Sequence, residues 1–258
     1  MNVKIIRFPL LFTLAAQLAA LIFTYQLLQL EGQVSFAPVQ GSSGPVFNSL
    51  IFLAIPIAGS LVLLRFYRSK LLKYVYAIGE ALLVAFLSFL VFVFSGIDFL
   101  PSGLISLVVG VLGFLVLIYG GSSSKAAFSL LMSSEAGAYL ALVFTPPTIY
   151  VILLFFAVYD LYSVFRGPLK KVVERVPFGA LSVDFGNISM GMGDQIFYAM
   201  VPSAAYLIYG LVAAVAMLAV VDIGVVATLV LLSSRKALPG LTIPLLLGLA
   251  LFFCLAVF

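Results

Sequence analysis

Long apolar stretches with almost no charge between them limit what this chain can fold into more than any other feature of its sequence. Charged residues make up 9% of the chain and hydrophobic ones 64%, against roughly 25% charged in an average globular protein. A water-facing surface cannot be assembled from so few charges, and the mean hydropathy of +1.29 agrees. The 258 residues therefore read as an integral, multi-pass membrane protein rather than one or two soluble domains. A span takes about 20 residues to cross about 30 Å of hydrocarbon, so at most about twelve fit. One cysteine, Cys254, and no histidine exclude a disulfide framework, a zinc centre and Ser-His-Asp or Cys-His chemistry. No metal or cofactor is expected. The net charge of +4 forms no basic patch interleaved with aromatics, so nucleic acid is not an expected partner.

Apolar windows predict an all-α protein with nine transmembrane helices, at about 8–30, 48–64, 74–95, 102–119, 126–144, 147–165, 188–204, 206–232 and 238–257. Translocated loops are depleted in Lys and Arg, so the basic residues test the count. Lys4 and Arg7 precede the first span. Arg65, Arg68, Lys70 and Lys73 lie between the second and third, and Lys125 between the fourth and fifth. Arg166, Lys170, Lys171 and Arg175 follow the sixth, and Arg235 and Lys236 the eighth. Together these are all 13 basic residues, and nine spans put every one on the side of the amino terminus. The expected topology has the amino terminus cytoplasmic and the carboxyl terminus outside. Within the sixth loop, Leu181, Val183 and Phe185 alternate with Ser182, Asp184 and Gly186, a period that fits a short strand as well as it fits a linker.

Five acids fall inside the windows: Glu80, Glu135, Asp160, Asp194 and Asp222. An ionised Asp near the bilayer centre costs roughly 2.5–3.5 kcal/mol, so each needs a reason. Glu80 is expected near the interface and Glu135, beside Ser133, Ser134 and Gly137, in an interhelical polar contact. Asp222, midway along an apolar helix, competes with the remaining two for a functional role.

Topology pairs Asp160 with Asp194. The sixth span runs toward the cytoplasmic side and ends near Arg166, which puts Asp160 about 9 Å from that end; the seventh starts from the same side, with Asp194 about 10 Å in. Sequential antiparallel helices usually pack together. Two carboxyls at one depth cannot both ionise cheaply, so the pair is expected to share a proton. That is the working arrangement of an aspartic protease, in which one carboxylate takes a proton from water and the other, protonated, polarises the scissile carbonyl. Gly191 and Gly193, flanking Met192 ahead of Asp194, would let backbone approach backbone or substrate; small-residue helix packing explains them equally well.

These residues resemble the presenilin and signal-peptide-peptidase family of intramembrane aspartyl proteases, and the presenilin branch most. Tyr159-Asp160 matches the family's Tyr-Asp motif, with Gly167-Pro168-Leu169 and a basic stretch following; Gly191-Met192-Gly193-Asp194 matches Gly-x-Gly-Asp, followed by Ile196-Phe197-Tyr198; and Pro239-Gly240-Leu241 falls on Pro-Ala-Leu, with glycine in place of alanine. The resemblance implies the nine-span fold, an amino-terminal scaffold over 1–144 and a catalytic part over 145–258. It implies an intramembrane aspartic endopeptidase with Asp160 and Asp194 as the catalytic pair. Tyr159, Gly191, Met192, Gly193, Pro239, Gly240 and Leu241 would support the site or bind substrate. Partners would be the transmembrane helices of substrate proteins and the lipid bilayer. A homo-oligomer is compatible, and no obligatory partner subunit or maturation cleavage is expected from so short a sixth loop. The small chain looks like a stand-alone archaeal homologue in the cell membrane. Two other readings stay open: a prepilin or preflagellin peptidase, which also carries Gly-x-Gly-Asp, and a transporter or cation leak with Asp160, Asp194 and Asp222 lining a polar path.

Overall fold

The computed structural model describes residues 3–30, 58, 71–166, 182–185, 188–232 and 238–257. They form eight helices and one two-stranded sheet, in the order α1 (Val3–Leu30), α2 (Leu71–Phe94), α3 (Phe99–Tyr119), α4 (Ser122–Val143), α5 (Pro146–Phe165), β1 (Ser182–Asp184), β2 (Ser189–Gly191), α6 (Met192–Tyr209), α7 (Leu211–Leu232) and α8 (Thr242–Val257). Six helices, α1 to α5 and α7, are long and apolar enough to cross a membrane. The expected second span, 48–64, and the basic residues of the second, sixth and eighth loops other than Lys73 and Arg166 lie outside the described residues.

Glycine and proline set the turns. Between α2 and α3, Gly96 takes φ 82°. Its N–H donates to the Val93 carbonyl at 3.1 Å and that of Ile97 to Phe92 at 3.2 Å, the Schellman closure that occupies carbonyls left over at a helix end. Pro146 and Pro147 occupy the first turn of α5, where a missing N–H costs nothing. Gly210, at φ 85°, ends α6, and α7 begins at the next residue.

Three expected boundaries are corrected. The break between the seventh and eighth spans falls at Gly210, not near residue 205, because the left-handed conformation there needs glycine. The seventh span starts at Met192 rather than 188, since Ser189–Gly191 is extended and paired antiparallel with Ser182–Asp184, Val183 opposite Met190. The ninth starts at Thr242 rather than 238, because the residues before it make other contacts. Of the strand and the linker that fit this stretch equally, the strand is present over Ser182–Asp184 as β1, turned into β2 through a Phe185 N–H to Ile188 carbonyl bond of 2.7 Å.

The main core gathers Ile149, Ile152 and Leu153 of α5, Tyr198 and Met200 of α6, Met217 and Val221 of α7, and Leu245 and Phe252 of α8. A second cluster joins Ala77, Val84, Leu117, Phe128 and Met132 to Val183 and Met192, which anchors the hairpin to the amino-terminal helices. Small residues bring the two halves of the chain close. A Cβ on Gly137 of α4 would lie 2.6 Å from Ala199 Cβ and 2.8 Å from the Met200 nitrogen of α6, so those backbones pack with no side chain between them. Helix α1 also reaches the second half, where Gln195 Nε2 donates to Thr13 Oγ1 at 3.2 Å.

Candidate active site

Asp160 lies in the last two turns of α5 and Asp194 in the first turn of α6. The hairpin delivers Asp194. Gly191 closes β2 and precedes the helix directly, with backbone angles of −64° and 136°, so the chain passes from strand to helix without a linker. A Cβ at Gly191 would stand 3.3 Å from Asp194 Oδ2, a tight contact that would press on that carboxyl.

The third element is the extended segment ahead of α8. The Leu241 N–H donates to Asp160 Oδ2 at 2.7 Å, giving one of the donors left free at a helix start a carboxyl acceptor. One residue earlier, Gly240 abuts the other aspartate: a Cβ there would collide with Asp194 Oδ2 and sit 3.0 Å from its carboxyl carbon. Asp160 and Asp194, 34 positions apart in the numbering, thus meet on two consecutive residues and are close enough to interact electrostatically. Two further bonds hold the segment. The Tyr198 hydroxyl donates to the Gly240 carbonyl at 2.7 Å, and Thr242 Oγ1 donates to the Ala157 carbonyl at 2.9 Å, one turn before Asp160. Pro239 is buried just upstream.

The remaining expected site residues divide. Tyr159 stacks on Phe155, rings 5.8 Å apart and 10° from parallel. The Met192 side chain is buried in the second core cluster with Phe128 and Val183, so it braces the start of α6. Gly193 is exposed, with nothing within 4 Å of where a Cβ would stand. Leu241 contributes its backbone to Asp160 and its side chain to the main core. Asp222, midway along α7, lies beside Gln17 of α1. Glu135 accepts from Ser88 Oγ at 3.2 Å, the interhelical contact expected of it. Two contributors had no role assigned from the sequence: Tyr198, matched only as part of the motif, and Thr242. Tyr198 stands four residues after Asp194 and so shares its helix face, which was the available signal; nothing marked Thr242.

The described residues include no group of three or more His, Cys, Asp or Glu side chains placed to hold a metal ion. Two carboxyls and backbone donors at one point, in a helical membrane protein, are equipped for proton transfer to and from a bound water and a carbonyl.

No family model matches the sequence. Among solved structures, the fold is that of the presenilin-family intramembrane aspartate proteases. One such structure, in a C222 crystal form, superposes with a TM-score of 0.71 at 19% identity, covering 96% of this chain and 99% of the other. Another, in space group P2, gives 0.68 at 18% identity, covering 96% and 98%. Among characterised proteins, the chain is similar to Presenilin-B of Dictyostelium discoideum, 35% identical over 121 residues that make up 41% of this chain and 25% of that protein. The matched stretch is thus about a quarter of that relative's length. The chain is an integral, multi-pass membrane protein of presenilin-like fold.

Proposed function

We propose that this protein is an intramembrane aspartic endopeptidase that hydrolyses peptide bonds within transmembrane segments of other proteins, with Asp160 and Asp194 as its catalytic pair. The observation that carries the proposal is the meeting of both carboxyls on Gly240 and Leu241. The presenilin-like fold and the partial match to a presenilin support it. In the reaction, the ionised member of the pair takes a proton from water, and the protonated member donates to the scissile carbonyl oxygen. The hydroxide adds to the carbonyl carbon, and the tetrahedral intermediate collapses as a proton passes to the departing amine.

A substrate helix hides its carbonyls in its own hydrogen bonds, so it must unwind first, and in hydrocarbon the freed groups need new partners. The β1–β2 hairpin beside Asp194 and the extended residues before α8 are the edges that can supply them by strand addition. Nine spans, with the amino terminus inside, remain the arrangement that best accounts for the basic residues. Tyr159 and Gly193 are assigned to substrate contact, and Gly191 and Pro239 to site geometry.

The test is incubation of the detergent-purified protein with a transmembrane peptide, with and without a transition-state inhibitor of aspartic proteases. Inhibitor-sensitive cleavage within the apolar segment is expected. No cleavage, together with ion flux from the same preparation in liposomes, would replace the protease by a conducting protein.

A further inference from the structure

We propose that Tyr198 and Gly240 act together as positioning residues that set the geometry of the aspartate pair: Tyr198 clamps residues 240–241 in place, and the missing side chain of Gly240 leaves the space that Asp194 occupies. The proposal rests on the endopeptidase reading for its kinetic consequences but not for its structural ones.

Tyr198 is only 2% exposed. A buried phenol needs a hydrogen-bond partner, and in an apolar interior the loss of one is felt on both sides. Its partner is the Gly240 carbonyl, 2.7 Å away and far along the chain. That bond fixes the peptide plane whose other end carries the Leu241 N–H, because a peptide unit is rigid and its carbonyl and N–H point in opposite directions. Holding the Gly240 carbonyl on Tyr198 therefore aims the Leu241 N–H at Asp160, where it is found at 2.7 Å. Asp194 and Tyr198 stand one turn apart on α6, so the helix that carries one carboxyl also orients the donor to the other.

Gly240 supplies the complementary constraint. A Cβ there would overlap Asp194 Oδ2, crowd its carboxyl carbon at 3.0 Å and stand 3.5 Å from the Tyr198 hydroxyl. The segment has little room to withdraw while its bonds to Tyr198, Asp160 and the Ala157 carbonyl hold. An alanine at 240 must therefore turn the Asp194 carboxyl out of its position. The consequence runs against simple motif reasoning, since alanine is the residue the resembled motif carries.

Both parts are tested by amide hydrogen exchange and steady-state cleavage on the full chain. In Tyr198→Phe the Leu241 amide should exchange about tenfold faster, with the later turns of α8 as protected as before, and kcat should fall about tenfold at nearly unchanged KM. In Gly240→Ala, which keeps the Tyr198 bond, Leu241 should stay protected while kcat falls by about the same factor. Unchanged Leu241 exchange in a folded Tyr198→Phe protein would overturn the clamp. Wild-type kcat or better in Gly240→Ala would overturn the spatial role of Gly240. If Tyr198→Phe does not fold, loss of Leu241 protection in Gly240→Ala would equally refute the clamp, since the Tyr198 bond alone would then fail to hold the segment. If the unaltered protein cleaves no transmembrane peptide, the endopeptidase reading fails, and the exchange experiment still decides the clamp.

Discussion

The α2–α4 region and the α5–α8 region are built from similarly apolar helices, yet they use their polar atoms differently. In the first, hydroxyls mostly turn back on their own helix. Ser95 bonds the Val91 carbonyl, Ser106 the Ser102 carbonyl and Ser134 the Leu130 carbonyl, each one turn back. In the second, Ser163, Ser203 and Thr228 do the same, but Tyr198 also reaches Gly240, Leu241 reaches Asp160 and Thr242 reaches Ala157, across 42, 81 and 85 residues. Where lipid is the solvent, a polar group satisfied within its own turn asks nothing of the tertiary structure, whereas one satisfied from a distant element fixes where that element stands. The first region is held by close-packed small residues. Gly110, for example, sits so near α2 that a Cβ would lie 2.8 Å from Ala85 Cβ. The second has such close approaches too, and adds polar bonds that converge on two carboxyls.

If that contrast is functional, the largest effects belong to the carboxyls. Asp160→Asn and Asp194→Asn should each abolish cleavage, because asparagine keeps the shape but cannot exchange a proton. The double variant should be no worse, as for residues acting as a unit. Stability, followed by thermal unfolding of monodisperse protein, should be unchanged or slightly raised, since the buried charge that the two carboxyls share is removed. Residual cutting by either single variant would break the assignment.

Pro239→Ala comes next. Restoring an N–H and relaxing φ at 239 allows helix to extend back toward Lys236, pulling residues 240–241 out of register with the aspartates. Cleavage should drop strongly in a folded protein, and full activity would remove the segment from the site. Asp222→Asn is the intermediate control. It is as deep in its helix as an acid can be, but its neighbour is Gln17 rather than the pair, so activity should stay within a few-fold of wild type. A dead Asp222→Asn beside an active motif variant would invert the whole assignment.

The smallest effect is expected in the first region. Ser88→Ala removes the interhelical bond to Glu135 and should lower stability by about 0.6 kcal/mol, the average for such bonds between membrane helices, with cleavage unaffected. A large loss of activity would show that the two regions are not separable in function.

The adjacency of Asp160 and Asp194 was legible because sequential antiparallel helices pack together. The depth of Asp160 follows from the helix rise back from Arg166, but the count from Asn187 assumed helix where Ser189–Gly191 is a strand, so Asp194 stands in the first turn of α6 instead. The ends of the helices were less legible. Hydropathy runs unbroken from Tyr206 through Leu211, so the break at Gly210 leaves no dip, and only glycine's freedom at positive φ marks it. Ser189–Gly191 is too short for a period of two to stand out and forms a strand only because β1 is there to pair with it. Tyr198 was visible as a residue but not as a contact. One sequence does not separate a tyrosine that faces lipid from one that bonds a carbonyl 42 positions away.

A last consequence comes from the contact between α7 and α8. A Cβ on Gly224 would lie 2.6 Å from Pro244 Cα and 2.9 Å from its nitrogen, so the two main chains touch three residues after Leu241. Main chain against main chain leaves no rotamer to absorb a displacement, and α8 is in effect riveted to its neighbour just below the site. A displacement at residues 240–241 is therefore not taken up by sliding α8 along α7. Gly224 thereby gives residues 240–241 a fixed end.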